Sequence, residues 1–310
     1  MSKRTKWIVM ILFDIVVLIY IGGSAFFANV MINNDTQTLA DSEARMIERE
    51  VFRADLPEPE WVTIKSGEVT LTGNFYDNEL DGNCAVLLLH GYTSTRYGTM
   101  QYTPLFWDRG CDLLMYDARG HGNSSVTLHT YGYYEKQDGA TAYTWLLERT
   151  GLPATQVGIT GISYGAATSL QMLPLVPDAA FVIADSAYQD LRTIITRQAV
   201  AQFGSWTSLF VPGAFLIAEL RGDFDADEVS AIEAVKGSDG PVFLVHALAD
   251  EFTPSTHSEA IFANSNLDTT ELHLTAFGTG HGRSIIDDYA TYDTLVDDFL
   301  VKYAPEFGLR

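Results

Sequence analysis

The sequence is poor in cysteine and in basic side chains. Its two cysteines, Cys84 and Cys111, are too few for a disulfide framework or for a zinc site with four cysteine ligands. Lysines and arginines number 19 against 40 aspartates and glutamates, which gives a net charge of −21. A surface this acidic repels nucleic-acid phosphates and anionic lipid head groups. We therefore expect no nucleic-acid partner and no basic lipid-binding patch.

The sequence also lacks internal repeats, low-complexity segments and any group of histidines and acidic residues with metal-ligand spacing. We therefore expect no metal and no other cofactor. Hydrophobic residues make up 47% of the chain and charged residues 19%, a balance typical of a folded protein. A chain of 310 residues can bury one large core.

One long apolar segment is present near the N-terminus. It spans Trp7–Ala28, and Asp14 is its only charged residue. At about 1.5 Å per residue, a helix of this length crosses a hydrocarbon core of about 30 Å. Lys3, Arg4 and Lys6 precede the segment, so the positive-inside rule places the N-terminus in the cytoplasm and the rest of the chain outside.

A cleaved signal peptide is the alternative, because Gly23–Ala25 resembles a small-residue cleavage site. The apolar run nevertheless continues to Ile32, which favours an uncleaved anchor over residues 1–32. The sequence thus predicts a single-pass protein of the cell membrane with an extracytoplasmic main domain. Asp14 is costly in lipid; it either lies near the head groups or marks contact with another helix.

Residues 33–60 are interpreted as a juxtamembrane connector that acts as a spacer. Leu39–Phe52 has a helical composition, and Pro57 and Pro59 end any helix before the next segment. The main domain is predicted over residues 61–310.

Short strand-like segments recur throughout the main domain, and several are continuously apolar. They are Trp61–Ser66, Val69–Tyr76, Cys84–Leu89, Asp112–Tyr116, Val157–Thr160, Ala180–Ala184, Val242–Ala247 and Thr270–Ala276. Helical stretches such as Glu135–Arg149 and Tyr164–Leu173 lie between them. This alternation predicts an α/β fold with a doubly wound, mostly parallel sheet.

The alternation fails over residues 187–240. The segment carries aromatic and aliphatic residues followed by the acidic run Asp223–Glu228. A long insertion between core strands is often a lid, and an apolar lid would shape a hydrophobic site or face the membrane. An ordinary packed helical excursion is the equal alternative.

The segment Gly161–Gly165 matches G-x-S-x-G. It follows an apolar strand and opens a helical stretch, which is the context that the motif requires. The two glycines permit a sharp turn that lifts the hydroxyl of Ser163 above the end of the sheet. We therefore predict that Ser163 is a nucleophile.

A serine hydroxyl needs a general base, and an acid must orient that base. His281 follows the last strand and precedes a final helix predicted at about Ser284–Tyr303, and Asp250 follows the strand Val242–Ala247. This serine, acid, histidine order accompanies the strand-turn-helix motif. We predict His281 as the base and Asp250 as the acid, with Glu251 as the nearest competitor.

Two further motifs follow strands. His90-Gly91-Tyr92 is expected to act through its backbone, with the N–H groups of Tyr92 and Tyr164 directed at a developing oxyanion. The segment Asp117–Ser124 is interpreted as a structural turn whose charges hold the loops near the site.

Taken together, these motifs resemble those of the α/β-hydrolase superfamily over about residues 61–305. The resemblance rests on HGY at 90–92, DARGHGNS at 117–124, GISYG at 161–165, ALADEFTP at 247–254 and GHG at 280–282. It is similar to the branch of monoglyceride-lipase-like and serine-aminopeptidase-like enzymes and bacterial membrane-anchored hydrolases. The family often has His-Gly where this chain has His246-Ala247, a departure that changes a turn and removes no catalytic group.

The resemblance implies a serine hydrolase that cleaves a small-molecule acyl ester through an acyl-enzyme. A peptidase or amidase acting on a peptide substrate is the alternative, and a non-catalytic membrane scaffold is a third. In this fold the strands before His90 and Asp117 are neighbours, so Cys84 and Cys111 lie side by side. Whether they are bonded is left open.

Overall fold

The computed structural model describes residues 1–51, 54–80 and 82–308. The strands are β1 Glu60–Ser66, β2 Val69–Tyr76, β3 Ala85–Leu89, β4 Asp112–Tyr116, β5 Val157–Ile162, β6 Val182–Asp185, β7 Val242–Ala247 and β8 Thr270–Thr275. Over the described ranges they form one sheet with the order β1-β2-β4-β3-β5-β6-β7-β8. β2 pairs antiparallel with β1 and β4, and the remaining pairs, β4 with β3, β3 with β5, β5 with β6, β6 with β7 and β7 with β8, are parallel.

Helices connect most of the strands. The α-helices are α1 Lys3–Ile32, α2 Leu39–Glu48, α3 Thr103–Trp107, α4 Glu135–Thr150, α5 Tyr164–Met172, α6 Leu191–Phe203, α7 Val211–Gly222, α8 Ala231–Val235, α9 Thr256–Phe262, α10 Ser284–Asp287 and α11 Tyr289–Tyr303. Short 3-10 helices span Arg96–Tyr102, Ala154–Gln156, Ser205–Leu209 and Ala226–Glu228. The predicted doubly wound, mostly parallel α/β architecture is confirmed.

The core lies on both faces of the sheet because the central strands are apolar throughout. In β3, Leu87 and Leu89 pack on the face covered by α4 and α5, whereas Val86 and Leu88 face the side covered by α3 and α11. Each of these leucines and Val86 is almost fully buried. Parallel strands covered on both faces therefore explain the continuous apolar runs in the sequence.

Two predicted helices differ from the structure in their bounds. The final helix, predicted over Ser284–Tyr303, is interrupted at Asp288, whose carboxylate accepts a hydrogen bond from the N–H of Thr291 and caps α11. The helix predicted over Leu39–Phe52 ends at Glu48, and Phe52 lies outside the described residues. An aspartate can lie inside a continuous helix or cap the start of a new one. Composition alone therefore does not reveal the break at Asp288.

The N-terminal helix α1 is long and apolar enough to cross a membrane. Most of its side chains up to Ile21 are exposed, whereas Phe27, Ala28, Met31 and Ile32 are buried in a cluster with residues of α6 and α7. α1 also approaches α7 closely, since a Cβ placed on Gly213 would lie 2.3 Å from the Ser24 hydroxyl. The last turns of α1 are therefore part of the folded body.

Cys84 and Cys111 form a disulfide. Cys84 immediately precedes β3 and Cys111 immediately precedes β4, so the bond joins the starts of two neighbouring parallel strands. Both residues are buried. The pairing that the sequence left open is thus present, and it closes a loop between residues that are 27 positions apart.

Replacing both cysteines by alanine should lower the free energy of unfolding by about 3–4 kcal/mol, because a loop of this length gains chain entropy when opened. Thermal unfolding in detergent measures the change. Reduction of the unmodified protein should shift its melting temperature in the same direction, and reduction of the double variant should have no effect. Equal melting temperatures for the oxidised and reduced protein would contradict a stabilising role.

Candidate active site

Ser163 lies at the sharp turn between β5 and α5. Its φ angle of 55° is in the left-handed region, which non-glycine residues rarely adopt. The flanking glycines are required by close packing: a Cβ on Gly161 would lie 2.4 Å from the Gly165 oxygen, and one on Gly165 would lie 2.2 Å from the Leu89 oxygen. The G-x-S-x-G pattern therefore places glycine at the two positions of this turn that have no room for a side chain.

Asp250 and His281 are in direct contact, although 31 positions separate them. The Nδ1 atom of His281 lies 2.6 Å from Oδ2 of Asp250. The other carboxylate oxygen, Oδ1, accepts hydrogen bonds from the backbone N–H groups of Phe252 and Thr253. The predicted acid and base therefore meet, and the carboxylate holds the imidazole in the tautomer that leaves Nε2 free to act as a base.

The electrostatics of Asp250 favour its ionised form. Burial by itself would raise the pKa of this carboxyl group, but hydrogen bonds from His246, from His281 and from the N–H of Thr253 hold the pKa well below its ordinary value. Glu251, the competing acid, is exposed, and Arg197 contacts its backbone oxygen. Asp250 is thus the carboxylate that the fold places on the histidine.

His246 is a supporting residue that the sequence did not identify. It is fully buried at the end of β7, and its Nε2 lies 3.2 Å from Asp250 Oδ2 and 2.6 Å from the Thr253 oxygen. Ser258 contacts the other ring nitrogen at 2.7 Å. The ring therefore donates through Nε2 and accepts at Nδ1, and it contacts the same carboxylate oxygen as His281.

The turn that carries His281 is held against the end of the sheet beside Ser163. The N–H of Gly282 donates to the Ser186 hydroxyl at 3.1 Å, and a Cβ on Gly282 would lie 2.5 Å from Ile162, the residue before the serine. Across the described residues, no hydrogen bond joins the Ser163 hydroxyl to the His281 ring. Hydrogen bonds between catalytic groups often tighten only when substrate is bound.

A second buried carboxylate lies beneath the site. Asp185 ends β6, and its backbone oxygen accepts the Ser163 N–H at 2.8 Å. Its side chain accepts hydrogen bonds from the hydroxyl groups of Tyr102, Ser186 and Tyr292. Burial raises the pKa of Asp185. This network ties the nucleophile turn to the histidine loop through Ser186, and no local sequence pattern distinguished it.

The N–H groups predicted to face an oxyanion lie on neighbouring segments. Tyr164 is the first residue of α5, and Tyr92 follows β3, the strand that pairs with β5. A Cβ on Gly91 would lie 3.7 Å from the Ser163 Cβ, so the Tyr92 loop approaches the serine closely. Within the described chain neither N–H group donates to another protein atom, which leaves both available to a ligand.

His90 and Asp117 serve the loops around the site. The ring of His90 contacts the Gly91 oxygen at 2.8 Å and accepts the N–H of Ala118 at 2.9 Å, so both of its nitrogens are used in structure. Asp117 forms a fully buried ion pair with Arg96 at 2.5 Å. These contacts agree with the structural roles expected for the two motifs.

Ser163 opens into an apolar cavity of about 160 Å³. Its lining residues come from α1, α6 and α7 and from the Tyr92 and Phe252 loops, and among the described residues none of them carries a charged side chain. The centroid of the His281 ring lies 5.0 Å from that of Phe252, one of the lining residues. The arrangement can hold an uncharged, hydrophobic group next to a serine hydroxyl.

The sheet order and the strand-end site together define a hydrolase of the α/β-hydrolase superfamily. Residues 33–216 match the family model described as X-Pro dipeptidyl-peptidase (S15 family), and the chain belongs to this family. The expected superfamily is thereby confirmed, whereas the narrower resemblance to the monoglyceride-lipase and serine-aminopeptidase branch stays a prediction.

Similar proteins include esterases and peptidases. YqkD of Bacillus subtilis, an uncharacterized protein, is 30% identical over 219 residues, which is 69% of this chain and 70% of YqkD. The Pyrococcus furiosus esterase Pf2001 has a TM-score of 0.63 at 21% identity, with 84% of this chain and 96% of the esterase covered. Pyrococcus horikoshii acylaminoacyl peptidase has a TM-score of 0.61 at 19% identity, with 84% of this chain and 43% of the peptidase covered.

His246→Leu should lower the free energy of unfolding by about 1.5–3 kcal/mol, because the buried Asp250 carboxylate loses one of its N–H donors. Chemical denaturation in detergent measures the effect. His273→Leu is the matched control, because this half-buried histidine of β8 pairs with Glu271 and does not touch Asp250. If His246→Leu lowers the free energy of unfolding no more than His273→Leu does, His246 does not support Asp250.

Proposed function

We propose that the protein is a membrane-anchored serine hydrolase that cleaves acyl esters through an acyl-enzyme. The observation that carries this proposal is the 2.6 Å contact between His281 and Asp250 at the strand ends that also present Ser163 to an apolar cavity. No cofactor takes part in the chemistry.

In the proposed mechanism, Nε2 of His281 takes the proton of the Ser163 hydroxyl as the oxygen attacks the ester carbonyl. The N–H groups of Tyr92 and Tyr164 stabilise the oxyanion, a contribution of about 3–4 kcal/mol for one such donor in other hydrolases. His281 then protonates the leaving alcohol. Water, activated by the same imidazole, releases the acid from Ser163 and restores the enzyme.

The cavity favours an acyl ester over a peptide with a free amino terminus. Burial of an ammonium group is costly unless a carboxylate pairs with it, and the described lining residues include no carboxylate. A peptidase is the second candidate, supported by the family description and by the fold shared with acylaminoacyl peptidase. A blocked, uncharged amino terminus would suit this cavity better than a free one.

Three observations support an extracytoplasmic domain on an uncleaved anchor. The basic residues before α1 favour a cytoplasmic N-terminus, and the Cys84–Cys111 disulfide suits an oxidising compartment. The small-residue stretch Gly23–Ala25 is helical, and a Cβ on Gly23 would lie 2.4 Å from the ring of Phe210 in the segment before α7. Close packing against the Phe210 ring therefore explains the small side chains without a signal-peptidase site.

Ser163→Ala should abolish ester hydrolysis and labelling by a fluorophosphonate, because both require the serine hydroxyl as nucleophile. The melting temperature should remain close to that of the unmodified protein. Ser238→Ala, which changes a serine in the turn before β7, is the control and should retain labelling. Labelling that persists in Ser163→Ala would refute the assignment, and a native protein that never reacts would favour a non-catalytic scaffold.

A substrate panel should separate the two enzymatic candidates. We expect kcat/KM for p-nitrophenyl acyl esters to exceed that for glycyl-prolyl p-nitroanilide by about tenfold or more, because the charged amino terminus has no counter-charge in the cavity. An N-acetylated anilide serves as the uncharged amide control. Faster cleavage of the free dipeptidyl anilide than of every ester would replace the esterase proposal with the peptidase.

A further inference from the structure

The wall of the cavity beside Ser163 includes the last turns of the predicted membrane helix. Phe27, Val30 and Met31 of α1 line the same cavity as the serine and the Tyr92 loop. Residues of α6 and α7 line the cavity as well. In addition to anchoring the protein, α1 therefore supplies part of the surface that a substrate acyl chain would contact.

Hydrogen bonds attach this end of the helix to the loops of the site. The Met31 backbone oxygen accepts the hydroxyl groups of Tyr92 at 3.2 Å and of Tyr131 at 2.7 Å. The oxygen of Ile32 accepts the His129 N–H at 2.9 Å. These donors satisfy carbonyl groups that a helix end leaves unpaired. Tyr92 is also the residue whose N–H is proposed to hold the oxyanion.

An exposed apolar face lies next to the helix. We define the lid face as the exposed residues Phe203, Trp206, Leu209, Leu216 and Leu220 of α6, α7 and the 3-10 helix between them. Each is between 38% and 76% exposed. The ring of Phe27 contacts Phe203 and Trp206 at centroid distances of 5.3 and 5.8 Å, so the lid face is continuous with the anchor.

The position of the cavity along the helix matches the outer surface of a bilayer. From Trp7 to Phe27 the helix rises by about 30 Å, the thickness of a hydrocarbon core. A Trp7 side chain at the inner boundary therefore places Phe27 near the outer boundary, where the ester groups of lipids lie. Exposed tryptophan such as Trp206 is common at this depth.

Resting on the serine-hydrolase function proposed above, we infer that α1 and the lid face form a passage from the bilayer to Ser163. The substrate is then an ester of a long acyl chain that resides in the membrane holding the enzyme. Its chain leaves the bilayer along Phe203, which both lines the cavity and belongs to the lid face, and then contacts Val30 and Met31. The uncharged lining suits an acyl chain.

The first test narrows the cavity by enlarging a side chain of α1 that lines it. Full-length Val30→Trp in phosphatidylcholine vesicles should lower the ratio of kcat/KM for p-nitrophenyl palmitate to that for p-nitrophenyl butyrate by about tenfold or more. Ile21→Trp is the matched control, because Ile21 is an exposed apolar residue of the same helix outside the cavity. An unchanged ratio in Val30→Trp, or an equal fall in the control, would overturn the inference.

The second test changes the lid face without touching the cavity. Leu216→Glu with Leu220→Glu should slow hydrolysis of the vesicle-borne palmitate ester by about tenfold relative to the water-soluble butyrate ester, because charges resist insertion into lipid. Leu80→Glu with Leu267→Glu is the control: both leucines are similarly exposed, and they precede the starts of β3 and β8, whereas the site lies where the strands end. A parallel loss of both rates, or an equal effect in the control, would contradict membrane delivery.

Fluorophosphonate labelling of Ser163 accompanies each assay and separates the two possible failures. An unlabelled native protein would refute the hydrolase function and with it the passage. A labelled protein whose palmitate-to-butyrate ratio does not respond to either set of variants would refute the passage alone. Because the lid-face leucines are exposed, their variants remain informative even if Val30→Trp fails to fold.

Discussion

The buried carboxylate of Asp250 is the constraint on which the site depends. A charge removed from water is tolerated only when hydrogen bonds replace its hydration, and four N–H donors surround this one. Two of them come from the loop that follows Asp250, one from His246 and one from His281. Meeting this requirement holds the end of β7 and the loop after β8 in one arrangement, with the His281 imidazole against the carboxylate.

The parts of the site predictable from sequence are those with local backbone requirements. Ser163 was predictable because a sharp strand-to-helix turn demands glycine on both sides, and Asp250 and His281 because they follow apolar strands in a fixed order. The sheet was predictable because strands buried on both faces are apolar throughout. The bounds of the helices were less predictable, because an aspartate such as Asp288 can lie inside a helix or cap the start of a new one.

What escaped prediction depends on contacts between distant segments. His246 has no local signal in the sequence, because its partners, Asp250 and Ser258, are brought to it only once the loop folds back. Asp185 directly follows the predicted strand Ala180–Ala184 and belongs to no motif, and its role follows from hydroxyl groups supplied by Tyr102 and Tyr292. The packing of α1 against α7 was equally hidden, because an apolar helix that meets protein has the same composition as one that meets lipid.

The hydrogen bond from Tyr92 to the Met31 oxygen has a mechanical consequence. Spanning helices adjust their tilt to the thickness of the surrounding bilayer. A change in the tilt of α1 would therefore act on the loop that faces Ser163 through the Tyr92 hydroxyl and through Tyr131, which bonds the same Met31 oxygen and stacks on the Tyr92 ring. In the proposed setting, the loop that carries one of the proposed oxyanion donors is therefore attached directly to the membrane anchor.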